Sequence, residues 1–152
     1  MDESSTLFWE TYWREKGESP PADALVNAWA FGADPDHLLA LVIKGQKTAT
    51  CSGHIFYEKE NEPLPEVGQY SVILDSHAQP KALIVITHVD VMPMNQVSES
   101  FARAEGEGDL SYDHWYTVHK EFFTDSLKPY GLHFKEDMLL VCERFKLLYT
   151  AS

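Results

Sequence analysis

The sequence is poor in cysteine and in basic residues. Its 152 residues include only Cys51 and Cys142, too few for the disulfide framework of a small secreted protein. The 12 lysines and arginines stand against 24 aspartates and glutamates, which leaves a formal charge of -12 and a surface that repels a polyanion. This balance argues against a dedicated duplex-DNA-binding protein and leaves open a small ligand or a short single strand of RNA.

Long apolar runs are also missing. No stretch approaches the roughly 20 apolar residues that span a bilayer, and the start of the chain has neither the basic region nor the apolar run of a secretion signal. We therefore expect a cytoplasmic protein without a membrane role. A hydrophobic content of 44% over this length predicts one domain with its own core. The sequence leaves the oligomeric state open.

The first predicted element is a helix over residues 5–16, with Ser5 as its N-cap and Gly17 just beyond its end. Aromatic residues recur in it at spacings of three and four, which predicts a stripe that packs on the core. The stripe comprises Phe8, Trp9, Tyr12 and Trp13.

A second helix is predicted in the stretch DPDHLLALVIKG. Asp34 suits the N-cap, Pro35 suits the first helical position, and Gly45 suits the left-handed turn that ends a helix. Residues 48–52 then favour an extended backbone, because threonine is β-branched. The pattern therefore predicts a bend from helix to strand around Lys47.

Three later segments have strand patterns, residues 69–75, 81–92 and 137–149. The first two are separated by a five-residue connection, which predicts a hairpin. The pattern of the third predicts either a strand that is covered at one end only or a strand with a bulge. Between the second and third, residues 95–105 and 111–124 predict helices. The expected fold is α+β, a small mixed β-barrel surrounded by helices, with residues 1–28 as an N-terminal helical extension of a domain that spans residues 1–152.

Lys47 and Thr50 are candidates for nucleophilic chemistry at the bend. Residues three apart on an ideal strand point to opposite faces, so the two side chains converge only if Lys47 belongs to the turn and Thr50 to the strand. A threonine hydroxyl needs a base, and a lysine serves as one only if burial or a neighbouring cation such as Lys44 lowers its pKa. The alternative interpretation is a solvated lysine beside ordinary strand threonines.

Glu105 is predicted on the apolar face of its helix, at the last turn before Gly106. Burial and the negative end of the helix dipole would both raise the pKa of a carboxyl group there. Such a group is a usable general acid and base near neutral pH. The alternative is a carboxylate that swings outward and pairs with Arg103 or Arg144.

Other reactive residue types form no convincing site. His114 and His119 are five apart and so do not share one helix face as a zinc pair would, and we expect His119 to be a core histidine with a hydrogen-bonding partner. Cys51 is either a rival nucleophile or an inert buried thiol. We therefore expect neither a metal nor a cofactor. Trp29, Trp115 and Tyr57 are candidates for stacking on a base, with core packing as the alternative for Trp29 and Trp115.

Several segments together resemble an ASCH-domain protein of the PUA-like superfamily, from about Trp29 onward. They are KGQKTATCS, EPLPEVGQYSVILD, VMPMNQVSESFARAEGEGDLSYDHWYTVHKEFF and EDMLLVCERFKL. The resemblance implies a small β-barrel with a ligand cleft beside the Gly-x-Lys-x-x-Thr motif, here Gly45, Lys47 and Thr50.

Bacterial members that act as amidohydrolases on N4-acetylcytidine suggest roles for these residues. The resemblance implies Lys47 as the base, Thr50 as the nucleophile on an acyl carbon and Glu105 as proton donor to the leaving amine. Backbone N–H groups near Gly45 or Gly53 are candidates for stabilising the oxyanion. Those enzymes carry an arginine where this chain has Ser52, which removes a planar cation from the site.

The resemblance leaves four functions open. The leading hypothesis is hydrolysis of a small acylated nucleoside such as N4-acetylcytidine. An RNA-binding module is the second, although the charge of -12 opposes it. A ligand sensor that has lost the chemistry is the third, because Ser52 replaces the arginine. An ASCH-type ribonuclease is the fourth.

Overall fold

Residues 1–151, which the computed structural model describes, form one five-stranded sheet surrounded by helices. The strands are β1 Val26–Trp29, β2 Ala49–Gly53, β3 Tyr70–Leu74, β4 Pro80–Pro93 and β5 Leu139–Thr150. The α-helices are α1 Glu3–Lys16, α2 Pro35–Ile43, α3 His54–Glu60, α4 Glu99–Ala104 and α5 Tyr112–Leu127. Two short 3-10 helices cover Met94–Gln96 and Lys128–Tyr130.

The sheet is mixed and open. Its order is β1-β3-β4-β5-β2, with β1 parallel to β3 and the other neighbours antiparallel. The predicted closed barrel is therefore wrong, because β1 and β2 lie at opposite edges and do not pair with each other within residues 1–151. The α+β class is confirmed.

The central hairpin of the sheet matches the sequence pattern. β3 and β4 pair directly across the short connection, as predicted. β4 and β5 then form the longest pairing of the sheet, and its register shifts twice, between Leu83 and Ile84 and between Ile86 and His88. Of the two alternatives predicted for the third strand segment, an irregularity of the bulge type is therefore present in the β4–β5 pairing.

The N-terminal helix packs on one face of the sheet. Its aromatic stripe is core, as predicted, because Trp9, Tyr12 and Trp13 cluster with Val72 of β3 and Leu83 of β4. The helix begins earlier than expected, since the Asp2 side chain accepts a hydrogen bond from the Ser5 N–H at 2.8 Å. Asp2 is therefore the N-cap in place of Ser5. The predicted helical extension over residues 1–28 also needs correction, because β1 begins at Val26.

The bend after α2 forms as the glycine pattern indicates. Pro35 is the first residue of α2, and Gly45 has a φ of 81° in the left-handed region. The N–H groups of Gln46 and Lys47 both donate to the Leu41 carbonyl, at 3.0 and 3.1 Å. Asp34 lies at the N-cap, as predicted, but its backbone is in the left-handed region and its side chain makes no capping bond with a described residue.

The helical insertion between β4 and β5 differs in its boundaries. The predicted helix over residues 95–105 is divided, because the Ser98 side chain accepts from the Phe101 N–H at 3.1 Å and starts α4 anew. α5 begins after its Ser111 cap and continues to Leu127, three residues beyond the prediction. Among the described helices, none is both long and apolar enough to cross a membrane.

Gly106 lets the chain after α4 lie directly against the bend after α2. It has a φ of 73°, and a Cβ at this position would overlap the carbonyl group of Gln46. The Gln46 side chain also donates to the Gly106 carbonyl at 2.6 Å. This approach joins the two segments that carry Lys47 and Glu105.

We expect Gly106→Ala to lower the free energy of unfolding by more than about 2 kcal/mol, because a methyl group adds overlap to backbone strain. Gly45→Ala is the matched control, since Gly45 has a similar φ and no described atom within 4 Å of its added Cβ. It should cost about 1 kcal/mol from backbone strain alone. Urea denaturation measures both, and equal losses would contradict the close approach.

Candidate functional site

Lys47 lies in a buried ion pair at the bend. Its side chain is only 1% exposed, and its Nζ donates to Glu105 Oε1 at 3.1 Å and to Glu107 Oε2 at 3.0 Å. A third bond reaches the backbone carbonyl of Glu105 at 3.3 Å. The interpretation of Lys47 as a solvated lysine is therefore wrong, because all three ammonium protons have acceptors.

The second carboxylate oxygen of Glu105 faces three further groups. Oε2 accepts from the Cys51 thiol at 3.3 Å and from the Trp115 indole N–H, and it lies 3.3 Å from His119 Nε2. Glu105 is 1% exposed and does not swing outward toward Arg103. One carboxylate thus connects the bend, β2 and α5.

This environment shifts the pKa values of Glu105 and Lys47 in the directions opposite to those expected from the sequence. Burial by itself would raise the pKa of Glu105, but the Lys47 charge and the His119 contact outweigh it and hold the pKa at about 2. Burial would likewise lower the pKa of Lys47, but the carboxylates of Glu105 and Glu107 outweigh it and raise the pKa. Near neutral pH, Lys47 is a cation and Glu105 an anion, and neither has the protonation state that its predicted role requires.

His119 completes the cluster as a largely buried histidine, 12% exposed, with hydrogen-bonding partners, as predicted. Its Nδ1 lies 2.7 Å from the Trp115 carbonyl, which can only accept, so this nitrogen carries a proton. The Glu105 carboxylate facing Nε2 favours a second proton there. Burial lowers the pKa of His119, yet the bond to Glu105 and its charge raise it overall. A protonated His119 and Lys47 together balance Glu105 and Glu107.

Three potential metal ligands meet in this cluster. One atom each from Cys51, Glu105 and His119 lies within 4.8 Å of the others. Burial first, and then the Glu105 charge, hold the pKa of the Cys51 thiol well above its ordinary value, so the thiolate that a metal needs is disfavoured. The Glu105 oxygens already accept from Lys47, Trp115 and the thiol. The donor set fits a hydrogen-bond network better than a metal site.

A cleft of about 930 Å³ lies in front of this cluster. Each strand of the sheet contributes a residue to its floor: Asn27, Thr50, Ser71, Ile86 and Glu143. Aromatic side chains form much of its wall, and they are Trp29, Phe31, Phe56, Tyr57, Phe122, Phe123 and Tyr130. α3, which the sequence pattern did not predict, supplies Phe56 and Tyr57.

The predicted site residues divide between the cleft and the cluster behind it. Those that line the cleft are Thr50, Ser52, Trp29 and Tyr57, whereas Lys44, Gly45, Lys47 and Glu105 do not. No hydrogen bond joins Thr50 to Lys47 or Glu105 in the described part of the chain. Phe31 lines the cleft and has the Lys47 Nζ 5.5 Å from its ring centroid, so the ion pair lies one side-chain layer behind the wall.

Ser52 has a specific partner in the cleft. Its Oγ lies 2.8 Å from the Tyr57 hydroxyl, and either group can be the donor. Burial, only partly offset by this bond, raises the pKa of Tyr57, so the phenol stays protonated near neutrality. The position at which the amidohydrolases carry an arginine is therefore neutral and hydrogen-bonded to the wall.

Glu143 is a site residue that the sequence reasoning missed. It pairs with Thr50 across β2 and β5, lines the cleft and is 9% exposed. Burial raises its pKa to about 7. A signal was present in the strand pattern, because Glu143 interrupts the apolar face that Val141 and Phe145 share.

The open sheet, the cleft on its face and the charged cluster behind it define a small α+β domain. The family model described as "ASCH domain" matches residues 27–149. The chain therefore belongs to the ASCH domain family.

Two solved structures resemble the whole chain. The crystal structure of protein EF3133 from Enterococcus faecalis V583 is 43% identical, with a TM-score of 0.83, and the match covers 97% of this chain and 89% of that one. The ASCH domain from Lactobacillus crispatus JV V101 is 36% identical, with a TM-score of 0.87 and coverage of 98% and 96%. No curated protein matches the chain.

Lys47→Met should lower the free energy of unfolding by about 3–5 kcal/mol, because it leaves the Glu105 carboxylate buried without its closest cation. Lys44→Met is the matched control, since Lys44 is exposed at the same bend; it should change stability by no more than about 0.5 kcal/mol. Urea denaturation at neutral pH measures both. A Lys47→Met protein as stable as its control would contradict the structural role of the pair.

Proposed function

We propose that this ASCH domain hydrolyses the amide bond of a small acylated nucleoside such as N4-acetylcytidine. The observation that carries the proposal is the position of Thr50. Thr50 lines an aromatic cleft, and its hydroxyl makes no hydrogen bond with any described residue. A free hydroxyl on a cleft floor is available to attack a bound acyl group.

The lining of the cleft favours a planar, uncharged ligand. Stacking of a base on an aromatic side chain contributes about 1–3 kcal/mol, and rings from β1, α3 and α5 are available. Polar side chains on the floor and at its edge provide hydrogen-bonding groups, and they include Asn27, Ser52, Gln69 and Ser71. Among the described residues, no lysine or arginine lines the cleft. The composition therefore supports a nucleoside over its phosphorylated form.

The proposed reaction proceeds through an ester on Thr50. The Thr50 oxygen attacks the acyl carbon, the C–N bond breaks, and the amine leaves with a proton as cytidine. Water then hydrolyses the ester, releases acetate and restores the hydroxyl. In this scheme the Lys47–Glu105 pair supports β2 and the cleft wall from behind. The proton of the Thr50 hydroxyl passes to a group other than Lys47 or Glu105.

Two observations support a second candidate, a nucleoside-binding sensor without turnover. Lys47 is held as a cation in its ion pair, and Ser52 occupies the position of the amidohydrolase arginine. The ASCH family and the PUA-like superfamily are associated with RNA binding. For this chain, however, RNA binding and RNA cleavage are both less favoured. Both need phosphate contacts, and Lys47, one of the few cations near the site, is buried.

We expect the purified protein to convert N4-acetylcytidine to cytidine and acetate, measured by chromatography. Thr50→Val should lower kcat/KM by at least about a thousandfold, because it removes the nucleophile. Thr48→Val is the matched control, because Thr48 is an exposed threonine of the same segment that does not line the cleft. It should retain activity.

N4-acetylcytidine 5′-monophosphate separates the competing functions in the same assay. It should react more slowly than the nucleoside, since the lining offers it no cation. Binding of N4-acetylcytidine without products would favour the sensor, and failure to bind or convert the nucleoside would contradict the proposal.

A further inference from the structure

Glu143 and Thr50 face each other across the floor of the cleft. They are direct partners in the antiparallel pairing of β5 and β2. Directly opposed residues project to the same face, with Cβ atoms about 4.5–5.5 Å apart. Both residues line the cleft. A glutamate side chain is long enough to bring its carboxyl group to a threonine hydroxyl across that separation.

The surroundings of Glu143 are unusual for a buried carboxylate. It is 9% exposed, yet no residue between 1 and 151 makes a hydrogen bond or an ion pair with its carboxyl group. Leaving such a group without a partner costs stability. Glu105 in the same molecule shows the opposite case, because lysine, thiol and indole groups all donate to it.

The environment of Glu143 also suits proton transfer. Burial raises its pKa to about 7, so the protonated and ionised forms are both populated near neutrality. A general base works best when its pKa lies near the working pH. An unpaired carboxyl group in a cleft, with a perturbed pKa and a nucleophile opposite, has the geometry of a catalytic group.

We propose that Glu143 is the general base and general acid of the cleft and acts directly on the Thr50 hydroxyl. This assignment rests on the proposed amide hydrolysis. The Glu143 carboxylate takes the hydroxyl proton as the Thr50 oxygen forms its bond to the acyl carbon. The resulting acid then donates that proton to the leaving amine as the C–N bond breaks.

The second half of the reaction uses the same group. Glu143, again ionised, takes a proton from a water molecule as its oxygen attacks the ester. The proton passes to the Thr50 oxygen as the ester bond breaks, and the acid product departs. No oxidant, reductant or metal is needed to balance these steps.

Acetylation of Thr50 by p-nitrophenyl acetate tests the assignment without the nucleoside. The release of p-nitrophenolate gives the rate in the full chain, and peptide mass spectrometry locates the acetyl group. Thr50→Val identifies the part of the signal that belongs to Thr50. Glu143→Gln should slow acetylation of Thr50 by at least about a hundredfold, because it retains the shape and removes the base.

Glu121→Gln is the matched control, because Glu121 is an exposed glutamate of α5 that does not line the cleft. It should change the rate by less than about twofold, since it changes an exposed side chain outside the cleft. Circular dichroism of both variants checks that they are folded. Glu143→Gln acetylated at the parent rate, or a parent protein without acetyl on Thr50, would overturn the assignment.

The two proposals fail in different ways. If N4-acetylcytidine stays intact while acetylation of Thr50 depends on Glu143, the nucleoside is the wrong substrate and Glu143 retains its role. If N4-acetylcytidine is hydrolysed equally well by Glu143→Gln, the proposed function stands and the role of Glu143 is refuted.

Discussion

The buried ion pair of Lys47 and Glu105 is the interaction on which the rest of the site depends. It joins the bend after α2 to the end of α4, and the second carboxylate oxygen of Glu105 adds β2 through Cys51 and α5 through Trp115. Removing two charges from water is costly, and the cost is offset only if every donor and acceptor is satisfied. Here each is satisfied, so four segments are held in one arrangement behind the cleft wall.

The two buried glutamates show how environment sets the chemistry of one residue type. Glu105 has a pKa of about 2 against an ordinary 4.5, so it stabilises the fold above pH 4.5, and this contribution is lost as the pH falls toward 2. Glu143 has the opposite effect on stability. Its pKa of about 7 makes ionisation unfavourable in the folded protein, so stability falls as the pH rises from 4.5 through 7. Glu105 serves structure, and Glu143 retains a proton that chemistry can use.

Local features of the fold could be predicted from the sequence, and long-range ones could not. The aromatic stripe of α1 and the turn at Gly45 follow from spacing within a few residues. The open sheet depends on which strands pair with β1 and β2, and the local sequence pattern does not specify this pairing. The same limit applies to the site, because the direction of Lys47 depends on Glu105, and the role of Glu143 appears only once β5 is in register with β2.

Of the two buried glutamates, Glu105 holds the fold together and Glu143 is the one that exchanges a proton near neutral pH. Nuclear magnetic resonance titration of the side-chain carboxyl carbons of labelled glutamate distinguishes them, with Glu105→Gln and Glu143→Gln to assign the signals. We expect Glu105 to stay ionised down to a pKa of about 2 and Glu143 to titrate at about 7. A Glu143 carboxyl that titrates near 4.5, like a solvated glutamate, would rule out its role in proton transfer near neutral pH.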